Sequence, residues 1–387
     1  MPRPDFSLHL PTQIIFGRNS AGHHIANIAA IGERVLLVHG ANAKRAAWLI
    51  TALQAEGLVI DTVACPREPD VALIEQCVAR GRAHACDAVI GLGGGAVIDT
   101  AKALAGLIPA TGSVLDYLEV VGEGKRLDAH PLAWAALPTT AGTGAEVTRN
   151  AVIDVPAAKR KVSLRDNRLL PTLAIIDSAL TDQTPREVTL ASGLDAITQV
   201  IEPWISGQAN RFTDALCRDA IATGLNALQA LMAVPEAEMQ RQTSARDEMA
   251  WVSLCGGLAL ANAKLGAVHG LAGPLGGVIS APHGAIAGRL LPYVLSANQQ
   301  ACRGEAKQRI DEVQDWIAQS FNISAVQAFA HLATWSQQQG LPGLGAMGLC
   351  KADRPRVAQA ALSSSSMQGN PVVLSEATLI DVLTNAD

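Results

Sequence analysis

Ala88-Val-Ile-Gly-Leu-Gly-Gly-Gly-Ala-Val-Ile-Asp-Thr-Ala-Lys102 decides the architecture of this chain. Ala88 to Leu92 is an apolar run with the length of a buried strand, and it ends in Gly93, Gly94 and Gly95. Consecutive glycines let a backbone approach a ligand closely. The helix that follows aims its first N–H groups at the same place, which makes an anion site. The spacing is not G-x-G-x-x-G, and on its own the turn reads equally well as an unliganded strand-to-helix connection.

Working outward, Val35-Leu-Leu-Val-His-Gly40 reads as a second buried strand, followed by a helical pattern from Ala43 to Glu56. Val59-Ile-Asp-Thr-Val63 is a third strand, with a helix over Ile74 to Ala85. Strands separated by helices of about 10–15 residues indicate βαβ units and a parallel sheet, which binds nucleotides at the carboxyl ends of its strands. Trp134-Ala-Ala-Leu137 is the next strand. It runs into Pro138-Thr-Thr-Ala-Gly-Thr-Gly-Ala-Glu-Val-Thr148, whose hydroxyls and glycine amides suit ribose and pyrophosphate. A polar surface loop fits this segment less well, because it is nearly uncharged and flanked by core strands.

Strand signals fade beyond Ile175-Ile-Asp177, and from Arg186 the pattern is helical, broken at Gly273-Pro, Ala281-Pro-His-Gly and Gly340-Leu-Pro-Gly343. The expectation is an α/β, Rossmann-like parallel-sheet domain over residues 1–182, binding a dinucleotide. An all-helical domain over 183–387 follows, binding metal and substrate. A length of 387 residues agrees with two domains, since single cores stop growing near ~250–300 residues. Hydrophobic residues at 49% supply a large core, and aromatics at only 3% mean that small side chains and closely set helices fill it. A net charge of −5 is too mild to argue for nucleic acid or an anionic membrane as partner. Seven cysteines without a CxxC pair read as reduced packing residues, and the N-terminus lacks a signal-peptide layout. Both point to the cytoplasm.

The helical half carries a chemical motif. Gly266-Ala-Val-His-Gly-Leu-Ala-Gly-Pro-Leu-Gly-Gly-Val-Ile-Ser-Ala-Pro-His-Gly284 holds His269 and His283, and Gly193-Leu-Asp-Ala-Ile-Thr-Gln199 holds Asp195 and Gln199. Residues four apart share a helix face, so Asp195 and Gln199 offer two oxygens to one point, and two imidazoles complete a four-ligand divalent metal site. Either histidine alone reads as a satisfied core residue.

These residues resemble the iron-dependent (group III) alcohol dehydrogenases. The resemblance rests on Gly93 to Lys102, on Pro138 to Thr148 and on the paired-histidine segment. It runs from Gln13-Ile-Ile-Phe-Gly17 to Ser366-Met-Gln-Gly-Asn-Pro371. It implies a dehydroquinate-synthase-like architecture with the active site in a cleft between the domains, and an NAD(P)-linked exchange of hydride between an alcohol or aldehyde and nicotinamide. It implies Fe(II), or Zn(II), held by Asp195, Gln199, His269 and His283. The dinucleotide falls on Gly94, Gly95, Asp99, Thr139, Thr140 and Thr143, with Asn150 and Lys161 near cofactor or substrate. A homodimer is the implied assembly.

Three positions depart from the pattern. Gln199 stands where the family has histidine; its carbonyl is a neutral hard donor, weaker than imidazole. Asp195, His269 and His283 still form a two-histidine, one-carboxylate set sufficient for iron, leaving Gln199 a fourth ligand or a hydrogen bonder to the others. Gly273 stands where many relatives carry a further histidine, which removes a proton relay and opens room for a bulkier substrate. Gly40 stands where NAD-preferring relatives carry aspartate, and with Asn42, Lys44 and Arg45 following, it favours NADP(H) over NAD(H). Three competing readings share the architecture. A maleylacetate-reductase-like enzyme is disfavoured by the retained Asp195 and mildly favoured by Gln199 in place of histidine. A dehydroquinate-synthase-like lyase lacks its basic phosphate ligands here. An inactive nucleotide binder is disfavoured by the three surviving ligands.

Overall fold

Eight strands and a series of helices make up the protein in the computed structural model, which describes residues 6–158 and 160–387. They divide into two compact units. A sheet unit comprises His9–Thr140 and Gly144–Thr181; a helical unit comprises Asp182–Asp387 with Ala141–Thr143 and residues 6–8.

In the sheet unit, strands β1 (Gln13–Phe16), β2 (Arg34–His39), β3 (Val59–Ala64), β4 (Ala88–Gly93), β5 (Ala133–Pro138) and β8 (Leu173–Ile176) form one sheet in the order β1-β8-β5-β4-β2-β3. Every pair in it is parallel. Side chains alternate between faces. Leu36, Val38 and Val89 enter one apolar layer, while Val35, Leu37 and Ile90 enter another. Both faces are therefore covered, as a parallel sheet requires. Helices α1 (Ala47–Ala55), α2 (Val71–Ala83) and α3 (Gly95–Leu107) supply part of that cover. Helix α2 begins three residues before the expected Ile74 because the Asp70 carboxylate accepts the Leu73 N–H at 2.8 Å and caps it.

The chain turns back at β2. Strand β3 lies on one side of it and β4 on the other, with His39 beside Leu92. This reversal is the switch point at which such sheets leave a crevice beyond their carboxyl ends. Gly40 and the glycine turn both sit there. Two features go beyond the expected elements: the edge strand β1, and an antiparallel hairpin of β6 (Asn150–Val155) and β7 (Arg160–Arg165).

The hairpin is fastened to α3 by Lys102. Its side chain is fully buried, and Nζ donates to Ala145 O, Asn150 O and Thr148 Oγ1, each at 2.8 Å. Asp99 Oδ1 lies 3.7 Å away. Burial lowers the Lys102 pKa to about 8 against the pull of Asp99 and Glu146, and raises buried Glu146 to about 7.

The helical unit is built around α4 (Arg186–Ile205), buried almost all round from Thr189 onward. Helices α5 (Arg211–Met232), α6 (Thr243–Ala263) and α8 (His283–Ala301) pack against it; α7 (Ala267–Gly276) lies between α6 and α8 in the chain. Glycines set the spacing. A Cβ on Gly224 of α5 would stand 3.0 Å from Ile197, one on Gly256 of α6 3.0 Å from Gln199 Cβ, and one on Gly288 of α8 2.7 Å from Leu194. The low aromatic content is thus matched by close helix approach. Among the described residues, no single helix is long and apolar enough to cross a membrane.

Replacing Lys102 with Met removes the donor to three acceptors and strands Asp99 without its counter-charge. The expected loss is about 3–5 kcal/mol, read as a lower urea midpoint for the variant.

Candidate metal and coenzyme sites

Along α4, Asp195, Gln199 and Glu202 fall on one stripe, spaced four and three residues apart. All three are buried, at 1%, 3% and 2% exposure. His269 stands in the first turn of α7 and His283 opens α8. One ligand atom from each of Asp195, His269 and His283 lies within 4.8 Å of the others, and the two imidazoles are 5.3 Å apart between ring centres. The structure thus brings these three expected residues together, with Gln199 one turn along from Asp195.

Asp195 Oδ1, Gln199 Oε1 and His269 Nε2 are three of the seven buried side-chain atoms without a hydrogen-bond partner among the described residues. Leaving such atoms unmatched costs about 1–3 kcal/mol each. Two of them, Asp195 Oδ1 and His269 Nε2, face each other at 3.3 Å, an ion pair whenever the imidazole carries both protons. A carboxylate oxygen, an amide oxygen and an imidazole nitrogen, orphaned together, form a donor set that fits a divalent cation.

The charge balance has the same sense. Burial opposes an imidazolium at His269, but the Glu202 and Asp195 carboxylates outweigh it and raise its pKa to about 10. Burial opposes charge on Asp195 as well; His269, the His283 charge and the Gln199 amide together hold its pKa below the usual carboxylate value.

Glu202 was not anticipated from the sequence. Its Oε2 accepts the His269 Nδ1 proton at 2.5 Å, and its Oε1 accepts the Val268 N–H at 2.7 Å. The signal was available: a single carboxylate in Val200-Ile-Glu-Pro-Trp-Ile205, seven residues after Asp195. Asn370 Oδ1 accepts the neighbouring Ala267 N–H at 3.1 Å, and Asn370 exchanges amide bonds with Asn298 at 2.8 and 3.0 Å. A Cβ on Gly266 would stand 2.9 Å from Glu202 Oε1 and 3.0 Å from Asn370 Oδ1, so any side chain there displaces these two groups.

Gly273 lies one turn after His269, and a Cβ on it would meet nothing within 4 Å. Lys264 Nζ donates to Gln368 Oε1 at 2.9 Å. Trp204 is a core residue, stacked edge-on with Trp316 and flanked by Arg309.

In the sheet unit, the glycine turn and the threonine loop are joined. Thr139 N donates to Gly93 O at 2.9 Å, and a Cβ on Gly94 would lie 3.4 Å from Thr140. Gly94 caps α3 and Gly95 opens it, so the helix amides begin at this point. Thr143 is placed elsewhere, in the helical unit. The Asp99 carboxylate accepts the Val152 N–H at 3.1 Å, and burial raises its pKa to about 6 against Lys102. Asn150 gives its carbonyl to Lys102, and Lys161 pairs with Glu68. At the end of β2, His39 Nδ1 lies 2.7 Å from Gly40 O. Asn42 Oδ1 accepts the Lys44 N–H at 3.1 Å, capping the turn Ala43–Ala46, and Gly40 has open space where a side chain would project.

Comparison with known proteins follows this division. The model of iron-containing alcohol dehydrogenases matches residues 11–178. That of the C-terminal part of the Fe-containing alcohol dehydrogenase family matches residues 189–386. A Salmonella typhimurium protein described as probable alcohol dehydrogenase EutG is 33% identical over 343 residues, 87% of this chain and 82% of that one. The NAD-dependent methanol dehydrogenase of Bacillus methanolicus is 31% identical over 308 residues, 78% and 77% of the two chains. Among solved structures, a 1,3-propanediol oxidoreductase matches with a TM-score of 0.88 and 28% identity, covering 99% of this chain and 100% of that one.

A Cβ on Gly284 would lie 2.5 Å from Ala191 O and 3.1 Å from Asp195 Cβ. Gly284→Ala therefore forces the start of α8, with His283, away from α4. The expected outcome is about 1–3 kcal/mol of destabilisation together with weaker metal uptake, measured by thermal unfolding with and without Zn(II).

Proposed function

The chain belongs to the iron-containing alcohol dehydrogenase family and is an oxidoreductase acting on CH–OH groups. On that premise, we propose that it interconverts an alcohol and its aldehyde or ketone at a metal held by Asp195, Gln199, His269 and His283. The observation that carries this reading is the convergence of three orphaned, buried donor atoms beside His283. It also counts against a metal-free, maleylacetate-reductase-like enzyme, in which the buried Gln199 Oε1 would have no partner.

When bound, a divalent metal supplies a Lewis acid beside which an alcohol hydroxyl loses its proton near neutral pH, and nicotinamide supplies the hydride acceptor. The residues supply placement. Asp195 brings negative charge, Gln199 and the imidazoles bring neutral donors, and Glu202 keeps the Nδ1 proton of His269 directed away from the centre. Gly273 offers no proton acceptor, so the released proton leaves through water, the ribose hydroxyls or another side chain, and the space beside it suits a substrate with a larger carbon skeleton.

Family membership implies iron and a nicotinamide dinucleotide. We assign the dinucleotide to Gly40, Asn42, Gly94, Gly95, Asp99, Thr139, Thr140, Thr143, Asn150 and Lys161. NADP(H) is the favoured form: from His39 to Arg45 there is no acidic residue to repel a 2′-phosphate, and Lys44 and Arg45 stand in the turn that Asn42 caps. The seven cysteines are free thiols, six of them buried, which supports a reducing compartment such as the cytoplasm. A homodimer is the assembly expected by analogy with the family.

Protein purified anaerobically and offered Fe(II) or Zn(II) is expected to hold about one ion per chain, lost together with turnover in His269→Ala and His283→Ala. Full turnover by metal-free His283→Ala protein refutes the reading. For the coenzyme, Gly40→Asp places a carboxylate beside the 2′-phosphate position. Like-charge juxtaposition costs several kcal/mol, so kcat/KM for NADP(H) relative to NAD(H) is expected to fall on the order of 100-fold. An unchanged ratio places the 2′-position elsewhere.

A further inference from the structure

We propose that Glu202 is a positioning residue for the metal centre, selecting the His269 tautomer and setting the affinity of the site. The inference rests on the metal reading above. Neutral imidazole carries one N–H and one lone pair, and only the nitrogen without the proton can ligate. Glu202 Oε2, 2.5 Å from Nδ1, takes the proton-bearing nitrogen. The orphaned Nε2 is thereby left facing Asp195 Oδ1, 3.3 Å away. The second carboxylate oxygen accepts the Val268 N–H in the first turn of α7. One side chain on α4 therefore fixes both the ring rotation and the backbone that carries the ring. A carboxylate behind a histidine also raises its basicity as a ligand. That contribution has added weight here, because Gln199 is a neutral donor and Asp195 is the one carboxylate in the donor set.

A purely structural role for Glu202 as a cap of α7 is the alternative, and Asn370 provides its control. Asn370 caps the adjacent Ala267 N–H of the same turn, and no bond from it to His269 is formed. The experiment is a Zn(II) competition titration against a chromophoric chelator, using full-length wild type, Glu202→Gln and Asn370→Ala. Each protein is also unfolded in its metal-free form.

The expected result is a Zn(II) affinity about 10- to 100-fold weaker in Glu202→Gln, with its metal-free unfolding midpoint close to wild type. Asn370→Ala should lose midpoint while keeping its affinity within about threefold, well short of the shift reported for outer-shell partners. Equal affinity in Glu202→Gln and wild type overturns the proposal. Equal weakening in both variants also overturns it, because capping then accounts for the effect. If Glu202→Gln does not fold, Glu202→Asp withdraws the carboxylate by one methylene, and its affinity decides in the same two directions. Wild-type protein that takes up no Zn(II) or Fe(II) overturns the metal reading itself, a result distinct from tight wild-type binding that Glu202→Gln leaves untouched.

Discussion

Asp195, Gln199 and Glu202 occupy one stripe of a helix otherwise sealed among aliphatic side chains. Polar groups taken out of water cost several kcal/mol unless they are matched, and much of the helical unit is arranged to match them. Glu202 is satisfied by the first turn of α7, which fixes where that helix begins. Gly266 and Asn370 follow from the same demand, one by leaving room for the carboxylate and the other by capping the remaining N–H. The glycines of α6 and α8 bring their helices against the stripe, so that His283 arrives at it.

The sheet unit poses the same problem and answers it differently. Lys102 is as deeply buried as any residue in the protein, yet three acceptors and a nearby carboxylate surround its ammonium. Nothing at that site is left unmatched, and its work is to hold the hairpin to α3. At the metal stripe, two of its own atoms and the facing His269 Nε2 lack a hydrogen-bond partner among the described residues. Complete satisfaction marks a brace. Orphaned donors that converge mark a place for something else to bind.

The strands β2, β4 and β5 were legible because their apolar runs are nearly continuous and lead into Gly or Pro, β3 because β-branched residues flank Asp61, and the helical half because its pattern changes after Asp177. Strand β1 was missed because it is four residues long and half exposed at the sheet edge, and its three apolar residues, Ile14 to Phe16, are too short a run to announce a strand. The β6–β7 hairpin does alternate, with Ala151, Ile153 and Val155 inward. The sequence between the two strands has neither Asn nor Gly to signal a tight reversal. At the metal stripe, Asp195 and Gln199 followed from helical spacing. The Asn298–Asn370 pair joins residues 72 apart and leaves no local trace.

The sheet order has a consequence for synthesis. Strand β1 is the first to leave the ribosome, and its partner in the sheet is β8, whose residues Leu173–Ile176 pair with Gln13–Phe16. The lock between them is completed by Asp177, which accepts the Asn19 and Ala21 N–H groups at 2.7 and 3.1 Å. At translation rates of about 5–20 residues per second, the opening segment waits roughly 10–30 s for that partner. During this interval an apolar strand carrying Ile14, Ile15 and Phe16 has every backbone group unpaired, and it is open to any passing sheet edge. The pairing of β1 is thus a late event in building the sheet, possible only once the chain up to Asp177 has been made.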